Sequence, residues 1–361
     1  MRNSIALVCT IVFLQPFAPQ YREAVPGYRF EFPQDFFGHP DFQTEWWYFT
    51  GNLQAQDGHR FGFELTFFRR AVDRERTPTD PWEVHDLYLA HFAVSDLDGR
   101  RYFHSERLNR AGPGIAGASA TASRVWNGNW QVQWNGSEQE LQGIDSHVQL
   151  RLTLREQKPP VVHGENGVSQ KAAGAGHASY YISLTRLAAN GSLEIDATSY
   201  QLSGLAWMDH EFFTHQLEPD QAGWDWICVQ LDDNTELMLF RIRRKDGTLD
   251  PYSAGTFIGA QGKSTHLRSS DFAMQPLADT WTSPTTHATY PIAWKIDVPS
   301  LGIELRTQTK LANQELAANG GFFPWYWEGA ISIDGNRGTS VLKGVGYLEM
   351  TGYDHPIQLA P

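Results

Sequence analysis

The chain has 361 residues, more than a single hydrophobic core usually serves, so its length predicts two domains. A formal net charge of −12 and the lack of clustered Lys and Arg exclude nucleic acid as a partner. The 32 Gly, 19 Pro and 13% aromatic residues indicate a globular chain of strands and turns with few long helices.

The N-terminal segment, residues 1–20, has the layout of a secretory signal. Arg2 precedes an apolar stretch over 5–14, which is shorter than the ~20 residues that a membrane-spanning helix needs. The cleavage site is poor because prolines flank it, so a retained membrane anchor stays open as the alternative. An exported mature chain would keep Cys228 as its one cysteine and would hold no internal disulfide.

Alternation of apolar and polar residues dominates the rest of the chain and predicts antiparallel strands. Tight-turn sequences such as Asp98-Gly99 and Asn190-Gly191 separate these segments, which favours hairpins over long crossovers. The pattern predicts an all-β meander that closes or nearly closes. The clearest segments are EWWYFTGNLQ, RFGFELTFFR, DLYLAHFAVS, HVQLRLTLRE, YYISLTRL, WICVQL, ELMLFRIRR, IAWKIDV and IELRTQT.

Motifs for metal binding and nucleophilic catalysis are weak. His85 and His91 have even spacing in one predicted strand and face one side of it, which in a barrel is the lumen or the rim. A third ligand is not visible beside them, and hydrogen-bonded histidines are the simpler interpretation. His210 and His215 lack the spacing of a zinc-protease helix, and Cys228 lies in an apolar strand where a thiol is usually inert. The sequence predicts no metal and no cofactor.

Residues 157–176, QKPPVVHGENGVSQKAAGAG, show no period between two well-defined predicted strands. Loops of this length in a compact domain are usually lids or disordered segments. We expect this loop to cover a barrel mouth beside His177 and Tyr181.

The chain contains two copies of one layout. WWYFTGNLQAQDGHRFGFELTFFRR at 46–70 and WDWICVQLDDNTELMLFRIRR at 224–244 both contain an aromatic strand, a polar turn, an apolar strand and an Arg pair. SGLAWMD at 203–209 corresponds to KGVGYLE at 343–349. About eight strands are expected in each copy, the number that closes a barrel around one small ligand. The predicted domains span residues 28–208 and 209–361.

The motif SGLAWMDHEFF, residues 203–213, ends the first copy with three adjacent ionisable residues between apolar segments. In the second copy Glu349 stands at the place of Asp209, and Met350 stands at that of His210. The fold therefore does not require His210, which favours a functional or inter-domain role for it. The alternative is that Asp209 and His210 form a satisfied polar network at the domain junction.

Four motifs carry a resemblance to a known family: HPDFQTEWWYFTGNL, LAHFAVSD, GHASYYISLTRL and LAWMDHEF. They resemble motifs of the AttH and carotenoid 1,2-hydratase (hydroxyneurosporene synthase) family, and the match covers nearly the whole chain from Tyr28. The resemblance implies two tandem lipocalin-like antiparallel β-barrel domains packed together. Members with a signal sequence resemble periplasmic proteins of lipid-handling systems, so the resemblance also implies a periplasmic location and a membrane transport system as partner.

Similarity to the hydratases places His210 where those enzymes have a His proposed to protonate the substrate. Two departures weaken the match. His210-Glu211-Phe212 replaces the expected His-x-Trp, and the strand expected to present a Tyr-x-Asp acid has ELMLF at 236–240 instead.

Two functions follow from these observations. The first is a binding or carrier protein for a hydrophobic small molecule or lipid at the junction of the two barrels. The second is a lyase or cyclase acting on a polyene or isoprenoid, with His210 and Asp209 as an acid–base pair and Trp224 stabilising positive charge. The missing Tyr-x-Asp and the signal segment favour the first. The predicted polar anchors and aromatic contacts are Glu45, Trp46, Tyr48, His91, His177, Tyr181, Trp207, Asp209, His210 and Trp226.

Overall fold

The computed structural model describes residues 21–72, 80, 82–215, 217–316 and 325–357. Nearly every element in these residues is a β-strand, with two short 3-10 helices at Gln34–Phe36 and Pro299–Leu301. The all-β class expected from the alternation is confirmed. Within the described ranges, no helix is long and apolar enough to span a membrane. The predicted signal segment lies outside these ranges.

The first sheet has thirteen antiparallel strands and curls into a nearly closed barrel. Its strands are β1 (Thr44–Ala55), β2 (Arg60–Ala71), β3 (Asp86–Asp96), β4 (Arg101–Arg110), β5 (Ala116–Ser119), β6 (Arg124–Asn127), β7 (Trp130–Asn135), β8 (Glu138–Ile144), β9 (Val148–Glu156), β10 (Val161–Val162), β11 (Ser169–Gln170), β12 (Ala178–Ile195) and β13 (Thr198–Phe213). Their spatial order is β4-β3-β2-β1-β13-β12-β9-β8-β7-β6-β5, and β10 and β11 pair with β12. Near the two edges, the Asn127 side chain on β6 donates a 3.0 Å hydrogen bond to the Tyr88 carbonyl on β3.

The second sheet has ten antiparallel strands and forms a half-barrel. The remaining strands are β14 (Gln221–Leu231), β15 (Glu236–Arg244), β16 (Ala254–Ile258), β17 (Ser264–Arg268), β18 (Ala273–Pro276), β19 (Thr280–Thr282), β20 (Thr289–Pro291), β21 (Trp294–Val298), β22 (Ile303–Gln308), β23 (Glu315–Leu316), β24 (Tyr326–Arg337) and β25 (Ser340–Thr351). The spatial order is β17-β16-β15-β14-β25-β24-β22-β21-β18, with β23 on β24, while β19 and β20 form a separate ribbon. The expected count of about eight strands per copy was wrong because strands as short as β5 and β6 show too little alternation to be recognised.

The division between the two domains lies later than the sequence suggested. β13 pairs with β1 continuously from Leu202 to Phe213, so the expected boundary between 208 and 209 cuts through a strand of the first sheet. The second sheet begins at Gln221. The predicted boundary follows the end of the repeat match at residue 209, whereas the backbone ladder of β13 continues to Phe213.

The internal repeat is confirmed by strand register. Tyr48 on β1 is opposite Asp209 on β13, and Trp226 on β14 is opposite Glu349 on β25. The two hairpins β1–β2 and β14–β15 also occupy equivalent places, each beside the last strand of its own copy. Asp209 and Glu349 are therefore equivalent positions in the two sheets.

The inward faces of both sheets are filled with apolar side chains. Trp47, Phe49 and Phe63 are fully buried in the first core, and Trp294 and Trp327 are fully buried in the second. The expectation of barrels that each close around one small ligand is not met, because large aromatic rings occupy the interiors. A third apolar cluster lies between the sheets and joins side chains from both copies.

The segment 157–176 is an ordered strap between the two sheets rather than an aperiodic loop. It contains β10 and β11, which pair with β12. Lys158 at its start reaches Glu236 on the second sheet at 2.7 Å, and His163 bridges Ser183 and Thr256 at 2.6 and 2.8 Å. The strap takes its structure from these tertiary contacts, which leave no periodic signal in its sequence.

Candidate functional site

A cavity of about 90 Å³ lies between the two sheets. Eight of its eighteen lining residues are aromatic, and four carboxyl groups and one lysine enter it. Both copies of the repeat, together with the strap, therefore contribute to one site. The lining residues are Trp46, Tyr48, Thr66, Phe68, Lys171, Tyr181, Asp209, Glu211, Leu217, Trp224, Trp226, Phe240, Ile242, Tyr326, Glu328, Glu349, Thr351 and Ile357.

Strand alternation separates the three ionisable residues of the opening motif. Asp209 and Glu211 face the cavity, whereas His210 faces the first barrel interior, where its ring stacks on Trp47 with centroids 4.8 Å apart. Successive side chains in a strand point to opposite faces, so neighbours cannot meet in one site. Asp209 and His210 do not form the acid–base pair expected from the sequence.

The carboxylate of Asp209 accepts hydrogen bonds from three side chains. The hydroxyls of Tyr181 and Ser183 donate to its carboxylate, and Trp207 Nε1 donates to it at 2.5 Å. Burial disfavours the charged carboxylate and raises the pKa of Asp209 to about 7, although these donors oppose the shift. Asp209 is therefore a carboxyl group that gains or loses a proton near neutral pH.

Glu349 brings the equivalent carboxyl group from the second copy into the same cavity. Trp224 Nε1 donates a 3.1 Å hydrogen bond to it, and burial raises its pKa to about 7. Its cross-strand neighbour Glu328 is also buried, and burial together with the charge of Glu64 raises the pKa of Glu328 well above its ordinary value. Several carboxyl groups with high proton affinity thus meet in one apolar site.

A hydrogen-bonded chain connects the aromatic wall of the second sheet to Asp209. Trp226 Nε1 donates to the Tyr181 hydroxyl at 3.0 Å, and that hydroxyl donates to Asp209. Tyr48 packs edge-on against Trp226, with ring centroids 5.2 Å apart. Of the predicted aromatic contacts, Trp46, Tyr48, Tyr181, Trp224 and Trp226 line the cavity, and Trp207 supports Asp209 from behind.

Lys171 enters the cavity from the strap. Its Nζ lies 3.7 Å from Glu211 Oε2, 3.8 Å from the ring centroid of Phe240 and 5.2 Å from that of Tyr181. Ser179 donates a hydrogen bond to the same Glu211 oxygen. Burial lowers the pKa of Lys171 and raises that of Glu211, because neither charge is well solvated there.

Inside the first barrel, His39, Glu45, Arg69 and His210 form a separate charged cluster. Glu45 contacts His39 at 2.7 Å and Arg69 at 3.0 Å. Burial opposes both charges of the His39–Glu45 pair, but their attraction prevails and sets the pKa of His39 to about 9 and that of Glu45 to about 2. Burial lowers the pKa of His210 to about 4, so its imidazole is neutral at pH 7 and Nδ1–H donates to the Trp46 carbonyl at 2.9 Å.

This cluster does not provide the ligand anchors expected at Glu45 and His210. Both residues lie on the inward face of their strands, behind the wall of the cavity. Ligand-type atoms of His39, Glu45 and His210 lie within 4.8 Å of one another. However, the Arg69 guanidinium already neutralises Glu45 and places a positive charge beside it, which disfavours a metal cation.

The other two predicted histidines lie near the cavity without lining it. His91 Nδ1 is 2.6 Å from the hydroxyl of Tyr326, which does line the cavity. His177 is partly exposed. Its Nδ1 lies 2.6 Å from Oε1 of Glu218, in the connection between β13 and β14. His91 therefore contacts a residue of the cavity wall, and His177 lies apart from the cavity.

Sequence reasoning missed Lys171, Glu211, Glu328 and Glu349 among the ionisable residues that line the cavity. The repeat alignment contained a signal for Glu349, because it matches this residue of the second copy with Asp209 of the first. Glu328 follows from the same register, as the cross-strand partner of Glu349. Lys171 lies in the strap, where no pattern indicated its direction.

A family model for AttH-like proteins matches residues 23–353. The chain belongs to the AttH-like family. An AttH protein of Nitrosomonas europaea has the same fold with a TM-score of 0.82 and 32% sequence identity, over 92% of this chain and 99% of that chain. The lipocalin-like fold implied by the resemblance is therefore confirmed.

Two more distant relatives extend the comparison of this AttH-like chain. Kievitone hydratase of Nectria haematococca matches with a TM-score of 0.69 over 93% of this chain and 97% of that chain. At 16% identity this likeness shows the fold alone. The dehydratase asqC of Emericella nidulans is 21% identical over 277 residues, which are 74% of this chain and 77% of that protein.

Proposed function

We propose that this protein binds a hydrophobic molecule in the junction cavity and adds or removes water at one of its carbon–carbon bonds. Asp209 and Glu349 exchange protons with the bound molecule. The hydrophobic molecule is a lipid or an isoprenoid whose reacting end enters the cavity. This proposal unites the binding role and the lyase role that the sequence left open.

The observation that carries the proposal is the pair of equivalent carboxyl groups in one aromatic cavity. Burying a carboxyl group is costly, and a passive carrier of an apolar ligand has no use for several of them. A proton donor works best when its pKa is close to the working pH, and burial brings the pKa of both Asp209 and Glu349 to about 7. One carboxyl group protonates a leaving oxygen or a carbon while the other, ionised, accepts a proton.

The aromatic walls support the same chemistry. Trp46, Trp224 and Trp226 line the cavity, and aromatic rings attract a developing positive charge. The names of two relatives, a dehydratase and a hydratase, describe reactions that move water across a carbon–carbon bond. This agreement supports the reaction class and leaves the substrate open.

The size of the cavity limits what it encloses. A volume of about 90 Å³ is smaller than the ~150 Å³ cavity that accommodates benzene in another protein. The cavity therefore takes the reacting group of a ligand, and the remainder of a polyene or acyl chain extends beyond it or requires the strap to move.

A carrier without catalysis is the second candidate. It is favoured by the satisfied contacts of Asp209, which already accepts hydrogen bonds from three side chains. It also agrees with the missing Tyr-x-Asp pair of the hydratases. In this case Asp209 would hold the Tyr181 wall in place rather than react.

Turnover of acyclic carotenoids and terpenoids, with and without a carbonyl group, by purified protein distinguishes the two candidates. Water addition is followed by mass spectrometry in ¹⁸O-labelled water, for wild type, Asp209→Asn and Glu349→Gln. The proposal expects ¹⁸O incorporation by wild type and loss of at least about 10²-fold in either variant, the usual worth of a general acid. Binding of the same compounds with no turnover by wild type would leave the carrier.

Export and the membrane transport partner are further proposals that the sequence supports. Residues 1–20 supply the signal or anchor, and mass spectrometry of the mature protein from its own cells tests this by the first residue found. A protein that retains Met1 and fractionates with the cytoplasm would contradict export. Chemical cross-linking in intact cells followed by identification of membrane components tests the partner.

A further inference from the structure

Lys171 is the one cationic side chain among the described residues that line the junction cavity. Proton exchange by Asp209 and Glu349 gives it no role. We propose that Lys171 binds a carbonyl oxygen of the substrate, so that water is added or removed at the carbons conjugated to that carbonyl group. The inference rests on the proposed function and narrows its substrate class to hydrophobic ketones and aldehydes. The substrate of dehydration carries a β-hydroxyl group, and the substrate of hydration carries a double bond conjugated to the carbonyl group.

A second buried lysine on the same strap shows how a purely structural ammonium group is held. Lys158 Nζ donates to the Asn234 carbonyl at 2.5 Å, to Glu236 at 2.7 Å and to the Gly259 carbonyl at 3.1 Å. Three N–H groups are thus matched by three protein oxygens, which is the full capacity of an ammonium group.

The surroundings of Lys171 differ from those of Lys158. Its carboxylate partner Glu211 is 3.7 Å away, beyond the usual hydrogen-bond distance, and its other close neighbours are the rings of Phe240 and Tyr181. An ammonium group with three donors retains N–H groups for an oxygen of a ligand in the cavity. A carbonyl oxygen suits this position, because it becomes more negative when the neighbouring carbon is deprotonated.

The acidic residues lie where a β-hydroxycarbonyl unit needs them. Glu211, beside Lys171, and Asp209 are two residues apart on one face of β13, which separates them by about 6.6 Å along the strand. A carbonyl group held at Lys171 therefore places its α-carbon near Glu211 and its β-carbon toward Asp209.

Elimination of water then balances within the site. Glu211 takes the proton from the α-carbon, and the electron pair moves onto the carbonyl oxygen, where the Lys171 ammonium stabilises the enolate. The pair returns to form the carbon–carbon double bond, the β carbon–oxygen bond breaks, and the hydroxyl leaves as water with the proton of Asp209. Glu349, which lines the same cavity, takes the proton from Glu211 and passes it to Asp209, which restores all three groups. Hydration is the reverse sequence.

Carbonyl activation also agrees with the acids that this chain has. Protonating an isolated alkene at carbon demands a strong acid, and the strand expected to carry the Tyr-x-Asp acid of the hydratases has Glu236 held by Lys158 and Arg186 instead. An enolate forms and collapses with weaker acids and bases, such as carboxyl groups with raised pKa. The substrate class thus follows from the residues that line the cavity.

Diacetone alcohol, a β-hydroxyketone, and its dehydration product mesityl oxide are probes small enough for the cavity. The matched control is the tertiary alcohol with the same carbon skeleton and no carbonyl group. Enone formation is followed by its absorbance, and deuterium uptake at the α-carbon is measured by mass spectrometry in D₂O. The protein variants are Lys171→Met, Lys171→Arg and, as a control at an exposed lysine, Lys245→Met, with thermal unfolding of each recorded.

We expect wild type to dehydrate diacetone alcohol and to exchange the α-hydrogen, with no reaction of the alcohol control. Lys171→Met should lose about 10²-fold in both rates, the scale for removing one oxyanion donor, while Lys171→Arg keeps part of the activity and Lys245→Met keeps all of it. Equal rates for wild type and Lys171→Met would overturn this inference and leave the proposed function. Reaction of alkenes without any preference for a carbonyl group would overturn it too, whereas a wild type inactive on every probe, the terpenoids included, would overturn both.

Discussion

Replacing Asp209 with Asn should remove a pH dependence from the stability of the fold. Burial raises the pKa of Asp209 from 3.8 to about 7. Between these values the folded protein keeps a proton that the unfolded chain has released, so stability is lost as the pH rises. The slope is about 1.4 kcal/mol per pH unit, and over about three units the loss amounts to about 4 kcal/mol. Above the folded pKa both states are ionised and the loss is complete.

Asparagine suits this test because it keeps the shape and the acceptor oxygen. Its carbonyl oxygen can accept from Trp207, and its amide can donate to Ser183 or Tyr181, so the hydrogen-bond partners of Asp209 stay engaged. Urea unfolding of wild type and Asp209→Asn is measured at intervals from about pH 4 to pH 8. The exposed Asp279→Asn variant serves as the control.

The expected result is that Asp209→Asn gains up to about 4 kcal/mol relative to wild type as the pH rises through this window. Asp279→Asn should follow wild type throughout. Parallel curves for wild type and Asp209→Asn would mean that Asp209 titrates alike in both states, and the assignment of a neutral-pH proton donor would be withdrawn.

Three further predictions concern the contacts that hold the site. Gly62→Ala places a Cβ 2.6 Å from the Ala330 Cβ across the junction and should lower the free energy of unfolding in urea by about 1–3 kcal/mol. A second substitution, Ala330→Gly, should restore it, and the absence of rescue would refute the contact. Lys158→Met removes one of the charged partners of buried Glu236 and should cost about 3 kcal/mol or more in the same assay, and an unchanged midpoint would show that the strap adds nothing to stability. His39→Gln removes the stabilisation from the His39–Glu45 ion pair, which is complete below about pH 6.5 and disappears as the pH rises to about 9. A constant difference in the free energy of unfolding between wild type and His39→Gln across that range would be inconsistent with the ion pair.

The sequence was informative where a periodic pattern is repeated within the chain. The two copies have similar strand spacing around their first hairpins and at their last strands, so Tyr48 could be matched with Trp226 and Asp209 with Glu349. The strand register agrees with both matches. The all-β class followed from the same alternation, because a period of two is a local property of the chain.

The side of the strand that each motif residue faces was also available in principle. Adjacent residues of a strand face opposite sides, so Asp209 and His210 could not share a site once the motif was placed in a strand. The adjacent carboxyl and imidazole groups of the triplet suggest a catalytic pair, but the alternation of the strand separates them. The carboxyl partner of Asp209 is instead Glu349, which is distant in sequence and close across the junction.

Features that depend on tertiary contacts could not be obtained from the sequence. The strap is held by Lys158 and His163, whose partners lie on other strands far along the chain. Lys171 points into the cavity because the strap passes there. Whether a sheet closes into a barrel or forms a half-barrel depends on how its two edge strands meet. The residues of these strands are far apart in sequence, so no local pattern indicates it.

Native mass spectrometry of the protein purified from its own cells tests the central claim most directly. The claim is that the junction cavity, rather than a barrel interior, holds the ligand. Thr66 lines the cavity and is buried, so Thr66→Phe fills it while the barrel cores stay unchanged. The account predicts a bound hydrophobic molecule on wild type and its loss from a folded Thr66→Phe variant. A molecule retained equally by both proteins would contradict it.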